Sequence, residues 1–240
     1  MNPLQRSATW IVALSVLAGC QSTQVTARQS NLGDARIARP DRIVVYDFGS
    51  TPDEIPPDSS IASQISPSSA PPTPEQLEVG RQLGASVATE LAADIAAMGL
   101  PGVRATNEPP PASGDLVIKG YFLSIDEGSA AKRLLVGFGS GSAELKTFVE
   151  GYLMTDQGLR RLGSGELSSG SSGGTPGVVV PLAVTIATAN PIGLIVGGAV
   201  KVAGEVSGSQ KIQASGKRTA DLIAKELRPK FEQQGWIPEE

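Results

Sequence analysis

Side chains able to move a proton, attack a carbon or hold a metal are few in this chain, and their spacing limits the chemistry further. The 240 residues include no histidine, one cysteine and 4 % aromatics. Without His, a Ser-His-Asp or Cys-His nucleophile, a histidine base and a His-rich metal site are excluded, leaving carboxylates, Lys, Tyr or Ser-Lys pairs. Asp126 and Glu127 with Lys132 form one such set, but adjacent acids on a loop are ordinarily solvated. Arg133 to Ser142 (RLLVGFGSGS) has the glycine density of a phosphate-cradling loop. A dinucleotide fingerprint, however, needs three glycines at set spacing opening a helix, and a P-loop needs Gly-Lys-Ser/Thr. Here Ser142 takes the third position and a strand pattern follows, so Gly137, Gly139 and Gly141 fit a turn or bulge. No catalytic residue, cofactor or metal site is expected. A net charge of −4 and a pI near 5.1, with scattered basic residues, also disfavour a nucleic-acid surface.

The lone cysteine has a different use. Arg6 and the free amine precede eight residues of apolar core, Trp10 to Leu17 (WIVALSVL), followed by Leu17-Ala18-Gly19-Cys20. That is the layout of a secretory signal peptide, far short of the roughly 20 apolar residues of a membrane span. Leu-Ala-Gly-Cys resembles the lipobox of bacterial lipoproteins. The resemblance implies a diacylglycerol on the Cys20 sulfur and cleavage between Gly19 and Cys20. Two or three acyl chains there would anchor the protein stably, where one binds only marginally. An exported thiol with no disulfide partner would otherwise be a liability. By the sorting rule of enteric lipoproteins, Gln21 in place of Asp after the cysteine implies the outer membrane, on its periplasmic face.

The elements that would present these groups follow from hydrophobic period. Residues 20–40 are polar and read as a tether, and 41–240 as one α/β (α+β) domain. Arg42 to Phe48 is a buried strand bounded by Pro40 and Gly49. Residues 49–74 are rich in Pro and Ser and read as a mobile loop that cannot pack a core. Thr73-Pro74-Glu75-Gln76 opens a helix with a capping box, whose stripe is Leu83, Val87, Leu91 and Ile95; Gly99 and Pro101 end it. Asp115 to Ile125 is a strand. Ser142 to Met154 alternates, with Leu145, Thr147, Val149 on one face and Phe148, Glu150, Tyr152 on the other, which predicts a half-solvated antiparallel strand. Asp156-Gln157-Gly158 turns it into Leu159 to Leu167. A last helix from about Lys217 buries Ala220, Ile223, Ala224, Leu227 and Phe231 and is kinked or broken at Pro229; Gly235-Trp236-Ile237 then folds the indole back. The sum is a small mixed or antiparallel sheet covered by helices.

From Leu167 to Val200 there is no charged residue. Within the Gly-rich apolar segment 178–206, Asn190-Pro191 divides two halves of about 12 residues, each reaching only ~18 Å as helix. Gly193 and Gly197, then Gly204 and Gly208, have the GxxxG spacing that lets helices approach closely. Three readings fit this Gly-rich helical hairpin: core buried inside the domain, an interface with a second copy or an envelope partner, or a membrane-inserted hairpin; contact with protein or the membrane surface is expected over a true span.

Several blocks in order, Arg42-Ile-Val-Val-Tyr-Asp-Phe, Gly80-Arg-Gln-Leu-Gly, Gly120-Tyr-Phe-Leu-Ser-Ile-Asp-Glu-Gly-Ser, Lys132-Arg-Leu-Leu-Val-Gly-Phe-Gly-Ser-Gly, Ala189-Asn-Pro-Ile-Gly-Leu-Ile-Val-Gly-Gly-Ala-Val-Lys and Gln234-Gly-Trp, resemble the DUF4410 family of bacterial lipoproteins. The resemblance implies the same cellular address and brings no catalytic residue. The expected function is therefore a non-catalytic, outer-membrane-anchored periplasmic lipoprotein serving as an envelope assembly or interaction module. A membrane-inserting oligomeric channel or secretion component is the alternative, and an enzyme using Asp126, Glu127 and Lys132 comes last.

Overall fold

The computed structural model describes residues 24–32, 35–64, 73–106, 108–126, 144–169 and 205–239. They form six strands and two long helices in the order β1 (Gln24–Ser30), β2 (Ile43–Val45), α1 (Pro74–Ala97), β3 (Gly102–Arg104), β4 (Leu116–Asp126), β5 (Glu144–Thr155), β6 (Gly158–Ser169) and α2 (Glu205–Gln234). The strands make a single mixed sheet in the order β1-β6-β5-β4-β2-β3, an α+β fold.

The two halves of the sheet have different causes. β2 reads Ile-Val-Val and is buried throughout, as a strand covered on both faces must be. It runs parallel to β3 on one side and β4 on the other, and a parallel neighbour requires a crossover, here α1. The β4-β5-β6-β1 half is antiparallel. Gly158, at φ +107°, closes the β5–β6 turn in a conformation that a Cβ would strain. β3, three residues long, carries no period-2 signal and was not expected.

Both helices lie on one face. The α1 stripe of Leu83, Val87, Leu91 and Ile95 and the α2 residues Ala220, Ile223, Ala224 and Phe231 are buried with Ile43, Val45, Ile118 and Phe122 in one core. α2 runs through Pro229 without a break. Pro229 and Lys225 are both exposed, so the carbonyl that proline deprives of its donor is open to water. Trp236 does fold back: its ring lies 5.6 Å from Phe231 and Nε1 donates to the Ile37 carbonyl at 3.3 Å.

Two segments expected to stand apart belong to the fold. Within the 20–40 tether, Gln24–Ser30 is the edge strand β1, and the Ile37 amide donates to Gln234 Oε1 at 2.8 Å. The polar composition hid a strand because an edge strand needs only one ladder and little burial. Within the Pro/Ser-rich 49–74 stretch, two 3-10 turns, Pro52–Glu54 and Ala62–Gln64, lie in a strap across the sheet face opposite the helices. Ile61 packs there with Tyr121 and Phe148. The outer face of β5 is accordingly covered: Phe148, Glu150 and Tyr152 are all buried.

Helix and sheet are spaced by Phe48. A Cβ on Gly84 of α1 would overlap the Phe48 carbonyl oxygen, and one on Gly120 of β4 would overlap its ring. Gly84→Ala is expected to destabilise the domain by about 1–3 kcal/mol, because backbone cannot yield as a side chain can. Gly151→Ala, which meets nothing within 4 Å, should stay within about 0.5 kcal/mol. Urea unfolding of the two variants checks the contrast; equal midpoints would contradict it.

Candidate functional site

The most concentrated polar chemistry sits under the strap. β5 brings Glu150 to the outer sheet face, where its side chain is fully buried. Ser59 Oγ and Tyr152 OH donate to Oε2 at 2.6 and 2.8 Å, and the Ser60 amide and Oγ donate to Oε1 at 3.0 and 2.7 Å. Arg161 Nη1 of β6 stands 3.6 Å from Oε1. Burial pushes the carboxyl pKa up, but the donors from Ser59, Ser60 and Tyr152 outweigh it and hold Glu150 below the ordinary carboxylate range. Glu150 is thus a desolvated anion with both oxygens occupied, an arrangement that fixes a strap in place and is poorly disposed to take a proton. Across the ladder, Lys119 Nζ lies between the Tyr46 and Tyr152 rings, 5.7 and 5.8 Å from their centroids. Tyr121 OH is buried nearby with no partner among the described residues.

A second cluster lies between the helices. Gly216 of α2 meets Ser86 of α1 so closely that a Cβ would overlap the serine hydroxyl. Farther along, a shallow cleft of about 300 Å³ is lined by Asp94, Met98, Asp221, Lys225 and Arg228. Asp94 and Asp221 line it together, and Asp94 Oδ2 is buried with no hydrogen-bond partner among the described residues. Lys217 Nζ is 3.1 Å from Asp221 and 3.9 Å from Glu90. Among the described residues no group of three or more His, Cys, Asp or Glu is placed to hold a metal, and no helix is long and apolar enough to cross a membrane.

A family described as a domain of unknown function (DUF4410) matches residues 43–189, more than half of the chain and all of its sheet from β2 to β6. The chain belongs to the DUF4410 family. No curated protein matches it. Among solved structures, this DUF4410 chain is similar to the PelC dodecamer from Paraburkholderia phytofirmans, at 15 % identity over 63 % of this chain and 83 % of that one, with a TM-score of 0.33. A single-substitution variant of that dodecamer gives 16 % identity, 63 % and 82 % coverage, and a TM-score of 0.32. Both superpose loosely.

The residues singled out from the DUF4410 sequence fall in different places. Gly19 and Cys20, and Gly193, Gly197 and Gly204 with the rest of the expected hairpin, lie outside the described residues. Gly208 lies in the first turns of α2. Asp126 ends β4 opposite Glu144, while Glu127, Lys132 and the Arg133 to Ser142 loop lie outside. The glycine that brings two helices together within the described fold is Gly216, eight residues after Gly208 and in the same helical stripe. Helix-period reading continued past residue 208 would have found it. Strand alternation predicts a solvated face for Glu150, and the structure buries it; that burial has no local signal.

The Asp94 carboxyl is pushed above the ordinary range, first by burial and then by Asp221 and Glu90, against Lys217. An acid whose folded-state pKa is raised costs nothing below its ordinary range, and its penalty grows as pH rises through that range to the raised value. Asp94→Asn is therefore expected to stabilise at pH 7 by about 0.5 kcal/mol, or roughly 1–2 °C in Tm. The gain should disappear below about pH 3.5. Thermal melts from pH 3 to 8 check this, and a pH-independent shift would contradict it.

Proposed function

We propose that this DUF4410 protein is exported, lipid-anchored at the periplasmic face of the outer membrane, and acts without catalysis as an assembly or interaction module. One observation carries the reading: the chain's single cysteine closes Leu17-Ala18-Gly19-Cys20 directly behind a short apolar core and a basic start. The absence of histidine from the whole chain supports the non-catalytic part. The uncharged run and its paired glycines, Gly193 with Gly197 and Gly204 with Gly208, support contact with a second copy or an envelope protein, since such spacing suits close helix approach. The same uncharged run, 167–200, favours a second reading in which it enters lipid as part of an oligomeric channel or secretion component.

Cys20→Ser distinguishes them. The wild-type chain is expected to incorporate labelled palmitate and fractionate with the outer membrane; the variant should lose the label and become soluble. An unlabelled wild type sinks the anchor, whereas a variant retained in membranes moves the inserting reading ahead.

Gly197→Leu is expected to reduce oligomer mass by light scattering, or partner capture, while leaving Tm within about 2 °C. Unchanged mass and capture would remove the glycines from the interface.

A further inference from the structure

We infer that the strap from Ser50 to Gln64 opens as a unit of its own, closed over the outer sheet face by the Glu150 carboxylate, and that opening uncovers an aromatic strip of Tyr121, Phe148 and Tyr152. The packing separates the strap from the rest of the fold. Among the described residues, its apolar residues Ile55 and Ile61 cluster with Tyr121, Phe148 and Leu123, apart from the core between helices and sheet. Its polar attachments among the described residues include Ser59 and Ser60 on Glu150, and Arg161 Nη1 donating to the Asp58 carbonyl at 3.4 Å. Among the described residues, no side chain of the strap belongs to the main core, so lifting the strap leaves α1, α2 and β2 packed.

The energetics of the latch point the same way. Glu150 exchanges water for three donors, from Ser59 and Ser60, when the strap closes, and a buried anion's desolvation offsets much of what its hydrogen bonds return. Opening rehydrates Glu150, Ser59 and Ser60 together, and its main cost is exposure of Ile61 and part of the three rings. That cost lies well below global unfolding, the condition for local opening. A preformed piece travels with the strap: Glu54 Oε2 accepts from the Ser50 amide, the Thr51 amide and Thr51 Oγ1, at 2.8, 2.8 and 2.9 Å. The hinge is Gly49, which stays on β4 through its amide to the Gly120 carbonyl and its carbonyl from the Phe122 amide. The charged and titratable groups facing Glu150 are Arg161 from β6, Lys119 and Tyr121 from β4, Tyr152 from β5 and Asp58 from the strap itself. An opened face would thus be aromatic with one anion between two cations.

Hydrogen–deuterium exchange on the full chain tests this, comparing peptides over residues 50–64 with peptides over α1 and β4. The Ser60 amide is bonded to Glu150 across the closed latch, and the Ser59 and Ala62 amides are bonded in the turn that the latch holds. In a Ser59→Ala/Ser60→Ala variant they should exchange at least tenfold faster, with α1 and β4 changing less than twofold. Unchanged strap exchange would overturn the latch, and a rise shared equally by α1 and β4 would overturn the separate opening. Should the variant fail to fold, wild-type exchange in low denaturant decides. A separately opening strap exchanges with little denaturant dependence while the core shows the full slope. A strap with the core's slope overturns the proposal.

Discussion

Phe48 occupies space left by two missing side chains, and the arrangement of helices on sheet depends on that. Gly84 lets α1 come down onto the Phe48 backbone, and its carbonyl accepts the Phe48 amide at 3.4 Å; Gly120 lets the Phe48 ring lie flat against β4, 5.9 Å from Phe122. The contact sets the height of α1 above β2 and β4. α2 then packs beside α1, with Gly216 against Ser86. The chain leaves Phe48 through Gly49, which bridges to Tyr121 on β4, and so passes from the helix-covered side to the strap on the opposite face. One aromatic ring therefore governs both layers. Cores are close-packed, and a shift of a methyl's width here would move every element resting on it.

Charged pairs tie the strands together at their ends. Arg42 reaches Asp115 through Nε and Nη2 at 3.1 and 2.5 Å, tying the start of β2 to β4, and Arg104 holds Asp47 bidentately at 2.6 Å through both nitrogens. Glu150 does for the strap what these pairs do for the strands, but from a fully buried position. Such a group contributes specificity of placement more than net stability, because its desolvation opposes its bonds. Serine suits this role: its hydroxyl donates to a carboxylate while its small side chain leaves room for Ile61.

Much of the fold was legible where period and local chemistry agree. Leu83, Val87, Leu91 and Ile95 marked the buried face of α1, the β5–β6 hairpin showed in its alternation and at Gly158, and Trp236 marked the closing turn. What escaped has long-range causes. β1 reads Gln-Val-Thr-Ala-Arg-Gln-Ser and becomes a strand because β6 offers an edge, with Arg28 pairing Glu226 of α2. The strap hides Ile55 and Ile61 among prolines and serines, so composition alone suggested a loop without a core. Glu150 looked solvated because charged residues on an alternating face usually are; only its donors, some 90 residues earlier in the chain, make burial tolerable. Of the site expectations, the family was legible in blocks of motif, whereas Gly216 needed the register of α2 against α1.

The position of β1 bears on how an anchored form would stand. A tether ending at residue 40 would allow up to ~70 Å of extended reach from residue 20, and the domain could range through much of the space beneath a membrane. With β1 starting at Gln24, only three residues lie between it and residue 20, four steps of chain with a reach of at most ~14 Å. Lipid on Cys20 would then hold the β1 edge close to the headgroups. Such a protein would behave as a plate fixed by one rim, presenting its faces sideways along the membrane rather than outward into solution.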